Sequence, residues 1–231
     1  MYTKLLAYEI RSRLVADARS FGAFVAVIVV AAGIVAAGLP GISGSTVMLA
    51  YALCALTPAA CAIAAMADYW KTLYGQRGYF TMSLPISGTV IFWAKITRIV
   101  IECLLALALA VGGIIAVAAA AAWSDGISLA EYTAGPRSLV AGMPTSTVVI
   151  MIALQIVLSM SWIVQGCAVM TIGAEGRFNH LGFGAPIIGF VLLYIVNQVL
   201  STVGTFFLPL SVTTDGHFST EIMWASYRAT M

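Results

Sequence analysis

Inside the long uncharged runs of this chain, few side chains are of a type that can do chemistry. Glu102 is the only acid within a stretch expected to cross a membrane, and Arg98 stands four residues before it. On a helix that spacing puts both on one face, where they can pair; buried alone, either charge would be costly. The pair reads as a structural ion pair or, since an intramembrane acid is a functional candidate by default, as part of a proton relay. The same face continues through Ala106, Ala110 and Gly113, small residues that let helices approach closely. Gln155, Ser159, Trp162 and Gly166 share another narrow helical face, which is either a polar helix contact or the lining of a pathway. Asn197, Ser201 and Gly204 align on a third.

Catalysis needs a convergent set of titratable groups, and no second acid or histidine lies at the depth of Glu102. The sequence has no G-x-x-x-x-G-K-[ST] phosphate loop, no H-E-x-x-H and no G-x-S-x-G. His180 and His217 are isolated, so neither a metal nor any other cofactor is expected in the chain itself, and no residue is assigned a catalytic role. Cys54, Cys61, Cys103 and Cys167 all fall in apolar spans at spacings that fit neither zinc nor an exposed disulfide framework. They read as small buried residues, with Cys54, Pro58, Cys61 and Ala65 forming one packing seam.

The elements that must hold these residues follow from composition. Of 231 residues, 61% are hydrophobic and 9% charged, with a mean hydropathy of +1.02; soluble domains carry roughly 25% charged residues. Uncharged runs fill residues 21–67, 103–124, 138–174 and 178–214, and a helical span needs about 20 apolar residues. The expectation is an all-α integral membrane protein, a single membrane domain over 1–231 with five spans near 21–39, 46–66, 91–123, 148–172 and 181–208. The net charge of +2 forms no basic cluster, which excludes nucleic acid as a natural partner.

The first 20 residues are too long and too acidic, through Glu9 and Asp17, for a signal peptide. Tyr2, Leu6, Ile10 and Leu14 form an apolar ridge flanked by Lys4, Glu9, Arg11 and Arg13. That pattern suits a helix along the membrane surface, or else a charged leader that only sets orientation. Residues 38–45, GLPGISGS, make a hairpin, and residues 125–145 read as an aqueous loop.

Residues 68–95, DYWKTLYGQRGYFTMSLPISGTVIFWAK, are the largest polar interval. Residues 68–74 fit one or two helical turns, Gly75 and Gly78 permit a reversal, and Ser87 is placed to cap the next helix. Its aromatics and Arg77 are types favoured at protein interfaces; an amphipathic turn lying on the membrane is the alternative. With the N-terminus inside, nine of the eleven Lys and Arg residues fall on the cytoplasmic side and only Arg137 and Arg228 outside, which by the positive-inside rule puts this loop in the cytoplasm of a multi-pass cell-membrane protein.

The run Leu73-Tyr74-Gly75-Gln76-Arg77-Gly78-Tyr79-Phe80, followed by Leu84-Pro85-Ile86-Ser87 and Lys95, resembles the cytoplasmic segment between the second and third helices of ABC-2 type transporter permeases. The resemblance implies the transmembrane subunit of an ATP-driven exporter of a hydrophobic or amphipathic solute or a peptide. It further implies a coupling loop over 68–90 seated on a separate cytoplasmic ATP-binding subunit, which would hold ATP and magnesium, and a second permease chain, identical or paralogous. By position, Tyr69, Lys71, Tyr74, Arg77, Tyr79 and Phe80 would contact the ATPase, residues 1–20 would be the surface connecting helix, and Glu102, Gln155, Trp162 and Asn197 would be pathway candidates. Members of the family have six spans, so residues 209–231 would be an external segment, with short helices near 217–227 and a final helix beyond. A membrane immunity or sensor component whose loop docks a regulatory partner is the rival reading.

Overall fold

The computed structural model describes residues 2–38, 43–75, 78, 81, 83, 85–175, 178, 182, 184–208, 211–212 and 218–219. It is an all-helical membrane protein. Among the described residues five helices are long and apolar enough to cross a bilayer: α1 (Tyr2–Ala36), α2 (Ser43–Leu73), α3 (Gly88–Ser124), and, after the short α4 (Leu129–Tyr132) and α5 (Ala134–Ala141), α6 (Thr145–Gly173) and α7 (Gly184–Phe207). A two-residue antiparallel ladder, β1 (Ser211–Val212) with β2 (Phe218–Ser219), follows. Short helices were expected near 217–227; Phe218 and Ser219 are extended instead, and the remaining residues of that stretch lie outside those described.

Residue contacts divide the chain into two compact units, Met1–Ala134 and Gly135–Met231. In the first, α3 packs against both α1 and α2. Its core is Ile28 and Val35 from α1, Ala50 and Cys54 from α2, and Val117 and Ala121 from α3. Small residues make the approach close: a Cβ placed on Gly113 would lie 2.9 Å from Cys54 Sγ and 3.0 Å from Ile28 Cδ1. The stripe Glu102, Ala106, Ala110, Gly113 is buried throughout, as its spacing predicts. Cys54 and Ala65 are buried on the α2 seam, and α2 runs unbroken through Pro58. In the second unit α7 packs on α6, with Ala185 and Pro186 buried and a Cβ on Gly173 only 2.9 Å from Pro186 Cδ.

Three local expectations change. The leader is helical but has no break from the first span, since residues 2–36 form one helix. On that helix Tyr2, Leu6, Glu9, Ile10, Arg13 and Asp17 are half-buried, while Leu14 is 56% exposed. Residues 68–73 are the end of α2 rather than a separate turn. The stretch 125–145 is mostly helical, because Ser128 caps α4 by accepting a hydrogen bond from Glu131 N at 3.2 Å.

Candidate functional site

The polar residues with the most developed geometry among those described lie where α1, α2 and α3 meet, near the end of α2 and the start of α3. Each helix contributes a stripe at helical spacing: Glu9, Arg13 and Asp17 on α1, Asp68 and Thr72 on α2, Lys95, Arg98 and Glu102 on α3. Steps of three and four residues keep each stripe on one face, so three polar faces converge inside an otherwise apolar bundle.

Arg98 is the hub. Its guanidinium pairs with Glu102 one turn along α3, with Asp68 Oδ2 on α2 at 3.2 Å, and with Asp17 Oδ2 on α1 at 3.8 Å. The planar guanidinium, with donors along its whole fork, suits carboxylates that arrive from several directions. Arg13 pairs with the other oxygen of Asp68, so that carboxylate bridges α1 to α3. One turn away, Lys95 Nζ donates to Glu9 Oε1 at 3.0 Å and to Thr72 Oγ1 at 3.1 Å. Thr72 is oriented by donating to Asp68 O at 2.9 Å. Beyond Lys95, Tyr2 Oη and Thr97 Oγ1 share a hydrogen bond of 2.7 Å.

Burial makes these pairs consequential. The Lys95 and Arg98 side chains are each only 4% exposed, where an unpaired charge would be several kcal/mol out of balance. Four carboxyl groups meet three cations, so loss of any cation leaves the cluster more negative still. The Nε atoms of Arg13 and Arg98 are buried without an acceptor among the described residues. Both side chains line a cavity of about 150 Å³ together with Asp17, Ser20, Cys61 and Glu102, a volume that can hold water. Cys61 Sγ donates a weak bond to Glu102 O at 3.9 Å. Among the described residues, no three His, Cys, Asp or Glu side chains converge as metal ligands do.

α2 runs to Leu73 and α3 begins at Gly88, so both ends of the polar interval 68–95 are helical. A Cβ on Gly75 would lie 2.6 Å from Lys71 O, so glycine is required at the reversal. Ser87 stands at the N-cap of α3, but its hydroxyl meets Thr89 Oγ1 at 3.3 Å rather than a backbone N–H.

The residues expected to meet a partner divide. Tyr69 cannot serve as a contact in this arrangement: it is 1% exposed, with its ring edge-on to Phe92 and Tyr74, both 6.4 Å away, because its turn of α2 faces α3. Its role is to seat the end of α2. Lys71 is exposed and borders an open cleft of about 690 Å³ with Trp70 and Gly75, and Tyr74 is half-buried against Trp70 at 5.1 Å. Arg77, Tyr79 and Phe80 lie outside the described residues.

The pathway candidates divide as well. Glu102 is paired as its spacing implies. Gln155 is exposed and Trp162 is 49% exposed, while the face of α6 that is buried runs through Ile163, Gly166, Cys167 and Met170. Asn197 Nδ2 donates to Gln165 Oε1 at 2.8 Å, joining α7 to α6 through a residue that sequence reasoning passed over. α6 carries two glutamines, Gln155 and Gln165, and only the second shares the buried side of α6 that meets α7.

The chain matches no family model, no curated protein and no solved structure. Functional assignment therefore rests on the geometry just described and on the loop motif.

The α1 contribution to the cluster was also missed. Glu9 and Asp17, eight residues apart on one face of α1, meet Lys95 and Arg98 on one face of α3, and Arg13 between them meets Asp68 on α2. Reading the leader for its apolar ridge alone hid that match.

Proposed function

We propose that this chain is the transmembrane permease subunit of an ATP-driven exporter, set in the cell membrane with its N-terminus and its 74–87 connection in the cytoplasm. The observation that carries the reading is the placement of the ionic cluster. A partner that moves the end of α2 pulls on Asp68 and Thr72, and these hold Arg98 and Lys95 of α3 and Arg13 of α1 directly. Work delivered at the loop would thus reach three spans through buried, charge-assisted bonds rather than through flexible chain. The loop motif and the absence of a phosphate loop in the sequence point to a separate ATPase as the source of that work, and the chain's own cofactor requirement is none.

The remaining parts follow from the same reading. A second permease chain completes the pathway, and the apolar character of the spans favours a hydrophobic or amphipathic solute or a peptide as cargo. Purifying the tagged chain from its native membranes tests this. The expected result is a stoichiometric cytoplasmic subunit that carries a phosphate loop and hydrolyses ATP. A chain recovered intact with a regulatory protein and no nucleotide-binding subunit would favour the immunity or sensor reading instead.

A further inference from the structure

The charges where α1, α2 and α3 meet do not balance. Around the Arg98–Glu102 pair stand Arg13 and Asp17 from α1 and Cys61 and Asp68 from α2, with Glu9 and Lys95 one turn away. Glu9, Asp17, Asp68 and Glu102 oppose Arg13, Lys95 and Arg98, so with every group ionised one negative charge is left over among the described residues. Lys4, Arg11, Arg19 and Lys71 are exposed and do not make it up.

The surplus falls on two residues. Glu9 is served by Lys95, and Asp68 by Arg13 and Arg98. Asp17 and Glu102 are left to share one nitrogen: Asp17 Oδ2 is 3.8 Å from Arg98 Nη1, and Glu102 Oε1 pairs with the same atom. The two carboxyl groups also lie within hydrogen-bonding reach of each other. Two carboxylates cannot bond, since each offers only acceptors, whereas a protonated carboxyl can donate to a carboxylate. Two acids that share a site in this way hold on to one proton between them.

The space beside the pair points the same way. Asp17, Glu102 and Arg98 line the cavity of about 150 Å³. Arg98 Nε, in a side chain only 4% exposed, reaches no acceptor among the described residues. A buried N–H beside a polar cavity is satisfied by water, and water there has Asp17, Glu102 and Ser20 as further partners. Arg13 and Ala64 line both this cavity and the open cleft of about 690 Å³ beside Lys71, so a path to solvent runs past Arg13.

We propose that Asp17 and Glu102 form a proton-binding site, which holds one proton at neutral pH. The proton comes from water: an O–H bond forms on one carboxyl group, that group donates to the other, and the cluster becomes neutral. Release returns the proton to solvent and leaves one uncompensated negative charge in the bundle, which weakens the hold of α1 on α3. A metal cation is a poorer occupant, because the Arg98 guanidinium already faces both carboxyl groups. The inference does not rest on the transport reading, and its test involves no ATPase.

Infrared spectroscopy of the full chain in lipid tests it. At neutral pH the parent should show the carbonyl stretch of one protonated carboxylic acid, displaced in heavy water and lost as the pH is raised. The band should be absent from Glu102→Gln and from Asp17→Asn, and unchanged in Glu131→Gln, which alters an exposed acid outside the cluster. Stability gives a second reading. At neutral pH the folded pair keeps a proton that the unfolded carboxyls have released, so stability falls as the pH rises from about 4, where free carboxyls ionise, to the pH at which the band disappears. One proton changes the unfolding equilibrium by up to about tenfold per pH unit. Glu102→Gln has the shape of the protonated acid and no proton to lose, so it should remove that slope and outlast the parent at alkaline pH. No acid band in the parent, a band that survives in both variants, equal pH slopes in the parent and Glu102→Gln, or a stability that follows sodium concentration instead of pH would each overturn the proposal.

Discussion

Lys95 Nζ and Glu9 Oε1 lie 3.0 Å apart although 86 residues separate them in the chain. The bond ties the first turns of α1 to the first turns of α3, and the ammonium is almost fully buried. Charge reversal should therefore be strongly asymmetric. Glu9→Lys or Lys95→Glu alone should lower the melting temperature of the detergent-solubilised chain, whereas the double exchange should recover a substantial part of the loss. Coupling between close charged partners is about 0.5–3 kcal/mol, and additive losses in the double variant would show that the pair is not coupled.

Arg98 should be the least replaceable residue of the cluster. Arg98→Ala leaves Asp17, Asp68 and Glu102 without their shared cation, and breaking a buried pair from one side costs about 3–5 kcal/mol. Arg98→Lys restores the charge but not the fork, so it should rescue only partly. Thermal unfolding of both variants checks the order; full rescue by lysine would mean that charge alone matters there.

Close approach at Gly113 gives a test of the bundle that involves no charge. Gly113→Val should destabilise by about 1–3 kcal/mol, the usual cost of forcing extra groups into a filled core, since Cys54 and Ile28 already occupy the space. Gly112→Val, one residue earlier with nothing within 4 Å of a Cβ, should be close to neutral. The contrast, read as a difference in unfolding temperature, fails if both variants behave alike.

Much of this architecture was legible in the sequence. Five spans follow from uncharged length, and the Arg98–Glu102 pair and the small stripe above it follow from steps of three and four. What single-chain periodicity could not supply was partnership across helices. Glu9 and Asp17 look like ordinary leader charges until the stripe on α3 is seen to complement them. Tyr69 looks like an interface aromatic because composition favours aromatics at interfaces, yet its position on the α3-facing side of α2 buries it. Where helices end is also weakly encoded here: the leader and the first span share helix-compatible residues, and no glycine or proline separates them between residues 2 and 21.

Tyr69 and Lys71 are two residues apart and should separate stability from coupling. Tyr69→Ala should destabilise the chain by about 3–5 kcal/mol, as loss of a buried aromatic does. Lys71→Ala, on an exposed side chain, should leave the unfolding temperature within a degree or two of the parent. If the transport reading is right, Lys71→Ala should still reduce partner ATPase stimulation, which a merely surface lysine would not do.

The most direct test of the central claim is ATP hydrolysis by the complex reconstituted in lipid, with Tyr74→Ala and Arg77→Ala in the permease chain. The account predicts that the folded variants lose stimulation of the ATPase, and Arg98→Lys loses part of it, while nucleotide binding by the ATPase is unchanged. Full stimulation by a chain carrying both Tyr74→Ala and Arg77→Ala would contradict it.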